Sequence, residues 1–206
     1  MLDIHTHRPA PVPDAVINIS PMEFNPMPGQ SYSVGIHPWD TGIKPPEENI
    51  MAALQQAASH PQVVAIGECG IDTLKGGPMF RQIKIMEMHA MLAEKTGKPL
   101  IIHAVKSQDI IIGMKQDLKP LQPWIIHGFR GKPGMAETYL RAGCMLSFGE
   151  KFNPDALRIV ADDMILCETD CSQLPILQIV SALSEAAGHD LLPILTANAD
   201  RILGRV

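Results

Sequence analysis

The chain has 206 residues, 46% of them hydrophobic and 19% charged, a balance that suits one sizeable core and a single domain spanning 1–206. Its formal net charge of -5 provides no basic field, which excludes broad coating of a nucleic-acid duplex and leaves only a local patch for phosphate contact. With no leader pattern at the start and no long uncharged apolar run, a cytoplasmic protein with no membrane span is expected.

In chain order, short β-rich runs occupy residues 2–7, 15–19, 33–37, 63–68, 100–103, 124–127, 145–148 and 165–168. Most are nearly continuous in Val, Ile and Leu instead of alternating, which marks strands buried on both faces of a parallel sheet. Between the later runs the period changes. Met79, Ile83, Met86, Ala90 and Ala93 step by three or four, as do Ile111, Met114 and Leu118, the spacing of amphipathic helices. Gly97 before Lys98-Pro99 reads as a helix stop. Further helices are expected after Pro45, Pro133, Pro154 and Pro175, where proline near a first turn costs no hydrogen bond.

Eight strands alternating with helices predict an α/β fold of the (β/α)8 TIM-barrel type. Only RPAPVPD separates the first two strands, and SPMEFNPMPGQSY the second from the third, so both lack room for a covering helix. The barrel is therefore expected to be trimmed there. A loop, the C-terminal helix or another copy in a homo-oligomer would have to cover those strands. Cys69, Cys144, Cys167 and Cys171 lack paired CxxC spacing and read as small buried thiols of a reducing compartment.

Six side chains of metal-ligating type fall at strand ends: His5 and His7 in LDIHTH, Glu68 in VVAIGECG, His103 in PLIIHA, His127 in WIIHGF and Asp170 in ILCETD. C-terminal strand ends of a barrel converge on one mouth, so these distant residues become neighbours. His-x-His places both imidazoles on one side of a strand. Each residue also has a plainer role, such as a helix N-cap for Asp170 before a segment near Ser172, or an arginine partner for Glu68. As a set they predict a metal-dependent hydrolase.

From DIHTH through GIHPWD, AIGECGID, IIHA, HGFRG and CETD to NADRIL, nearly the whole chain resembles the TatD-type metal-dependent hydrolases, within the amidohydrolase-like barrels. The resemblance implies that His5, His7, Glu68, His103, His127 and Asp170 hold two metal ions, and that the substrate class is DNA phosphodiesters. The asparagine of NADRIL is expected to fix a loop or cap.

Two divalent ions bridged by one carboxylate can acidify a shared water and clamp a phosphoryl oxygen. Glu68 is the expected bridge, His5 and His7 with Asp170 one ligand set, and His103 with His127 the other, with Asp170 also placed as a base. Mixed nitrogen and oxygen donors suit Zn²⁺ or Mn²⁺ and leave Mg²⁺ open. His37 ends the third predicted strand and is expected to face substrate, with Trp39 beside it either as a stacking platform or as a plug. Arg130 stands where the family has a small residue, as a clamp or a loop charge. Val105 stands where the family has arginine, with Lys106 next to it as a substitute charge.

His60, His89 and His189 have no converging partner and read as surface or capping residues, and Trp124 as packing. The expected substrate is a small phosphoester or a single-stranded DNA end. The same two-metal site hydrolysing a small amide, lactone or phosphoester, and a non-enzymatic metal-binding scaffold, are the alternatives.

Overall fold

The computed structural model describes residues 1–42 and 47–204. Its strands are β1 (Asp3–Thr6), β2 (Ala15–Ile19), β3 (Ser31–Val34), β4 (Val63–Asp72), β5 (Leu100–Val105), β6 (Trp124–Ile126), β7 (Cys144–Phe148) and β8 (Ile165–Cys167). Each pairs in parallel with the next, and Asp3 opposite Cys167 joins β1 to β8, so the sheet closes as a barrel. The helices are α1 (Glu47–Ala58), α2 (Met79–Thr96), α3 (Gln108–Leu118), α4 (Pro133–Arg141), α5 (Pro154–Leu157), α6 (Ile176–Ala187) and α7 (Leu192–Ile202). Pro45, expected near the start of a helix, lies outside the described residues.

Two apolar layers explain why the strand runs do not alternate with polar residues. Ile4, Val16, Ala65, Ile101, Ile125, Met145 and Leu166 fill the barrel interior. On the outer face, Ile17, Val34, Ile66, Ile102, Ile126 and Leu146 join the helical side chains Leu54, Met86, Ile111, Tyr139 and Leu183 in a second core. Trp124 is fully buried there, as its position at a strand start predicts.

The trimming is real. Residues 7–14 connect β1 to β2 without a helix, and the β2–β3 connection has one 3-10 turn at Pro21–Glu23. The loops themselves cover the exposed side, since Ala10, Val12 and Phe24 pack onto the outer core. Helix α7 serves another end. Its Ala199, with Leu203 just after it, packs against the inner core, and Asn198 donates to the carbonyls of Asp162 and Ile165, the loop-fixing role expected of the NADRIL asparagine.

Several boundaries differ from expectation. β3 stops at Val34, so His37 stands on the turn leading to a 3-10 helix at Pro38–Gly42, while β4 and β5 run on past Glu68 and His103. Helix α5 is a single turn, capped by the Asn153 side chain. His89 requires a correction. It is not a surface or capping residue but is completely buried on the face of α2 turned toward the sheet, and both ring nitrogens have backbone partners. His60 and His189 do lie in surface turns.

Candidate metal centre

Glu68 sits at the centre of the barrel mouth, 2% exposed, with five imidazoles around its carboxylate. Oε2 lies 3.1 Å from His7 Nε2 and 3.3 Å from His5 Nε2. Oε1 lies 2.7 Å from His103 Nδ1, 2.8 Å from His127 Nε2 and 3.1 Å from His37 Nε2. Asp170 Oδ1 stands 3.7 Å from His7 Nε2. All six residues singled out from the sequence therefore meet at one place.

The strands deliver these groups in two ways. His103 and His127 each follow an interior residue, Ile101 or Ile125, by two positions, as plain alternation requires. Glu68 follows interior Ala65 by three, and His5 directly follows interior Ile4. Both parities are broken by irregular pairing: three residues of β4 span two of β5 between Ile66 and Cys69, and three of β1 span two of β2 between Asp3 and Thr6. Gly67, φ 127°, is needed at the first of these, because a Cβ there would collide with the carbonyl of Ile101. The Asn18 side chain then accepts the Glu68 N–H at 2.7 Å.

Asp170 does not cap a helix. Its backbone joins β1 instead, with Asp170 N–H donating to His5 O and its carbonyl accepting from His7 N–H, while α6 begins only at Ile176. Arg8 straps the same loop, donating to the carbonyls of Ser172 and Leu174. Asp3 accepts from the N–H and hydroxyl of Thr169, and burial pushes its carboxyl up to about 6 against those hydrogen bonds.

Two carboxylates that sequence reading missed stand behind the histidines. Glu168, fully buried, accepts from His127 Nδ1 at 3.1 Å, and Asp72 Oδ2 lies 3.4 Å from His103 Nε2. Both were signalled by parity, since Glu168 comes two after interior Leu166 and Asp72 four after Glu68. Asp72 also accepts from the Trp39 indole N–H at 2.7 Å. Burial alone would raise the Asp72 carboxyl, but the hydrogen bonds from Trp39, Leu74, Lys75 and His103 bring it down to about 2.

The electrostatics follow the same geometry. Burial opposes charge on Glu68, yet the His127 charge and the hydrogen bonds from His103, His127 and His37 hold its carboxyl well below the usual range. Burial likewise works against a charged His127, and Glu68 and Glu168 together outweigh it, lifting its pKa well above an ordinary histidine. The hydrogen bond to Glu68 raises His7. Burial, with His127 beside it, lowers His5.

His5 supplies the test of whether metal fits. It is completely buried, yet neither ring nitrogen has an aligned hydrogen-bond partner among the described residues, an expensive arrangement for a polar ring unless something coordinates it. Nitrogen and carboxylate donors within ligand reach fall into three groups: His5, His7 and Asp170; His5, Glu68 and His127; and His37, Glu68 and His103. The donor set fits divalent ions of the Zn²⁺ or Mn²⁺ type. His37, expected to face substrate, thus stands within this cluster of candidate ligands.

Outside this cluster, Trp39 is half exposed, with its ring T-shaped to His37 and the Lys75 ammonium 4.9 Å from its centre. Arg130 is mostly exposed, with Nη2 3.8 Å from Asp170 Oδ2. It lines a cavity of about 150 Å³ with Gly128, Gly149, Lys151 and Glu168. Lys106 lines a separate groove with Ser107, Gln108 and Tyr139.

The sequence model of the family described as TatD related DNase matches residues 25–202. The chain belongs to the TatD family. Among its TatD-like relatives, an uncharacterized metal-dependent hydrolase of Bacillus subtilis is 26% identical over 195 residues, covering 82% of this chain and 76% of that protein. A protein of Musicola paradisiaca named 3'-5' ssDNA/RNA exonuclease TatD is 29% identical over 160 residues, covering 71% of this chain and 59% of that protein. The chain thus spans less than two thirds of the Musicola relative. The crystal structure of a TatD homologue of Escherichia coli K12 matches with a TM-score of 0.75 at 20% identity, covering 93% of this chain and 86% of that one, a likeness of fold. No described helix is long and apolar enough to cross a membrane.

Proposed function

We propose that this chain is a two-metal hydrolase that cleaves phosphodiester bonds, with a single-stranded DNA end as substrate. The observation that carries the reading is the division of the Glu68 carboxylate. Oε2 faces His5 and His7, with Asp170 beside them, and Oε1 faces His37, His103 and His127. One carboxylate shared by two ligand sets is the arrangement a pair of divalent ions needs, and the naming of the Musicola relative supports a nucleic-acid substrate.

Bound there, two ions would polarise a phosphoryl oxygen and acidify a water near neutral pH. The chain's own groups do the rest. Asp170, the less buried of the two acidic ligands, is placed to take a proton from the attacking water, while Glu68 holds the two ligand sets in register. His37 completes the Oε1 side, with its ring nearly perpendicular to that of Trp39. The Arg130 fork offers paired donors to an anionic substrate oxygen beside Asp170, and Trp39, anchored through Asp72, offers its exposed face to a planar group. Lys106, in the neighbouring groove, meets the distal part of a longer substrate.

A second reading, turnover of a small amide, lactone or phosphoester, is favoured by the cavity beside Asp170. It measures about 150 Å³ and sets Glu150, Glu168 and Asp170 against Arg130 and Lys151, a balance better suited to a compact substrate than to a run of phosphates. The deciding experiment assays Mn²⁺- and Zn²⁺-loaded protein on single-stranded oligonucleotides and on a small-ester panel, beside folded His103→Ala and Asp170→Asn proteins. Nucleotide release lost in both variants supports the first reading, and ester turnover without nucleotide release supports the second. A fully loaded protein inactive on every substrate would leave the non-enzymatic scaffold.

A further inference from the structure

β3 ends at Val34, and Ile36, two residues on, is buried and outside the sheet ladder. Its N–H therefore needs a partner other than a neighbouring strand, since a buried unpaired donor is costly. The partner is a side chain from a distant helix: Ile36 N–H donates to His89 Nε2 at 3.0 Å. The other nitrogen of that ring, Nδ1, lies 2.7 Å from the carbonyl of Ile85, one turn earlier on α2. A carbonyl can only accept, so Nδ1 carries the proton and Nε2 is left as the acceptor that Ile36 requires. One tautomer satisfies both contacts.

The next residue along the chain is His37, whose Nε2 is 3.1 Å from Glu68 Oε1. On the other side of Ile36, Gly35 is pressed against β4, where a Cβ would collide with the Glu68 carbonyl and Gly67. The turn carrying His37 is thus held at two points, by close contact at Gly35 and by a hydrogen bond at Ile36. We infer that His89 is a positioning residue that fixes His37 against Glu68 through the Ile36 N–H, so that a helix packed outside the barrel wall sets the affinity of one metal position. The inference rests on the two-metal reading for the identity of what His37 holds. It touches neither substrate nor ion.

Groups acting behind a metal ligand usually change affinity by about 10- to 100-fold. Calorimetric titration of chelator-stripped protein with Zn²⁺ is expected to show two binding events in the wild type. His89→Leu removes the acceptor and is expected to weaken one event at least ten-fold while leaving the other, on His5, His7 and Asp170, unchanged. His89→Gln retains an acceptor and is expected to restore the weakened event to within a few-fold of wild type. Unchanged binding in a folded His89→Leu protein, or equal weakening of both events, overturns the inference, because the second outcome is what general loosening of the core would give.

Amide exchange of Ile36 in the wild-type protein tests the contact without any variant. It is expected to be as slow as that of the β3 ladder amides, and rapid exchange overturns the inference even if His89→Leu fails to fold. A wild-type protein that binds no ion defeats the two-metal reading instead, and slow Ile36 exchange would still separate the two failures.

Discussion

Glu68 Oε1 and His127 Nε2 lie 2.8 Å apart in the barrel mouth, and each shifts the other toward its charged form against the effect of burial. Glu68→Gln keeps shape and volume but removes the charge that five imidazoles face, so bound metal is expected to fall from two ions per chain to one or none, with hydrolysis reduced at least about 10³-fold. Elemental analysis beside a rate assay checks both numbers, and two retained ions would refute the bridging role.

Glu168 holds the far side of the same ring, accepting from His127 Nδ1 at 3.1 Å while fully buried. Glu168→Leu removes the acceptor on His127 Nδ1, freeing the ring to turn. Metal affinity is expected to fall about 10- to 100-fold with little change in fold. Titration with Zn²⁺ measures it, and wild-type affinity in the variant would mean that His127 is oriented by packing alone.

His127 and His7 both have raised pKa values, so at these rings protons would compete with the proposed metal. In the stripped protein the protonated form of His127 favours folding below about pH 6.5, and this contribution is lost as pH rises through its raised folded value. An ion takes only the neutral ring, so binding at neutral pH releases a proton. Zn²⁺ affinity is therefore expected to climb between about pH 6 and pH 8, with binding heats that depend on buffer ionisation. A flat profile would show that these histidines are not ligands.

The barrel itself was legible because burial on both faces leaves a continuous apolar signature, and the eight expected runs correspond to the eight strands. The convergence of His103 and His127 was legible for the same reason, each lying two residues beyond an interior Ile. Glu68 and His5 were identified by residue type and not by face, since the bulges that turn them inward depend on pairing with neighbouring strands, which a single strand's pattern does not reveal. His89 was misread because a histidine on a helix normally faces water. Only the early end of β3 creates the unpaired N–H that draws it inside.

Arg8 ties the loop after β8 to the end of β1, next to His5 and His7, through its donors on the carbonyls of Ser172 and Leu174. Arg8→Ala leaves those carbonyls to water and loosens the segment that presents Asp170. Activity is expected to fall about ten-fold, with the loss in kcat, if Asp170 must be held to accept a proton. Arg8→Lys restores a charge but not the fork and should recover only part of it. Full activity in Arg8→Ala would assign the placement of Asp170 to its backbone pairing with β1.

The acid limit of the fold should carry the mark of His89. Complete burial lowers its pKa to about 4, against about 6.5 in an unfolded chain, so between those values the unfolded state binds the extra proton. Stability contributed by the neutral ring is fully present above about pH 6.5 and is lost as pH falls toward 4, by about 3 kcal/mol across the window at about 1.4 kcal/mol per pH unit. The Glu68–His127 pair has the opposite slope near neutrality, so the wild-type curve alone does not isolate His89. The difference between wild type and His89→Gln does, because the centre at the mouth is common to both. Urea midpoints measured from pH 4 to pH 7 should therefore fall more steeply with acid in the wild type than in His89→Gln. Parallel curves would mean that the ring escapes to water before it protonates, and that the contact with Ile36 opens below the global unfolding free energy.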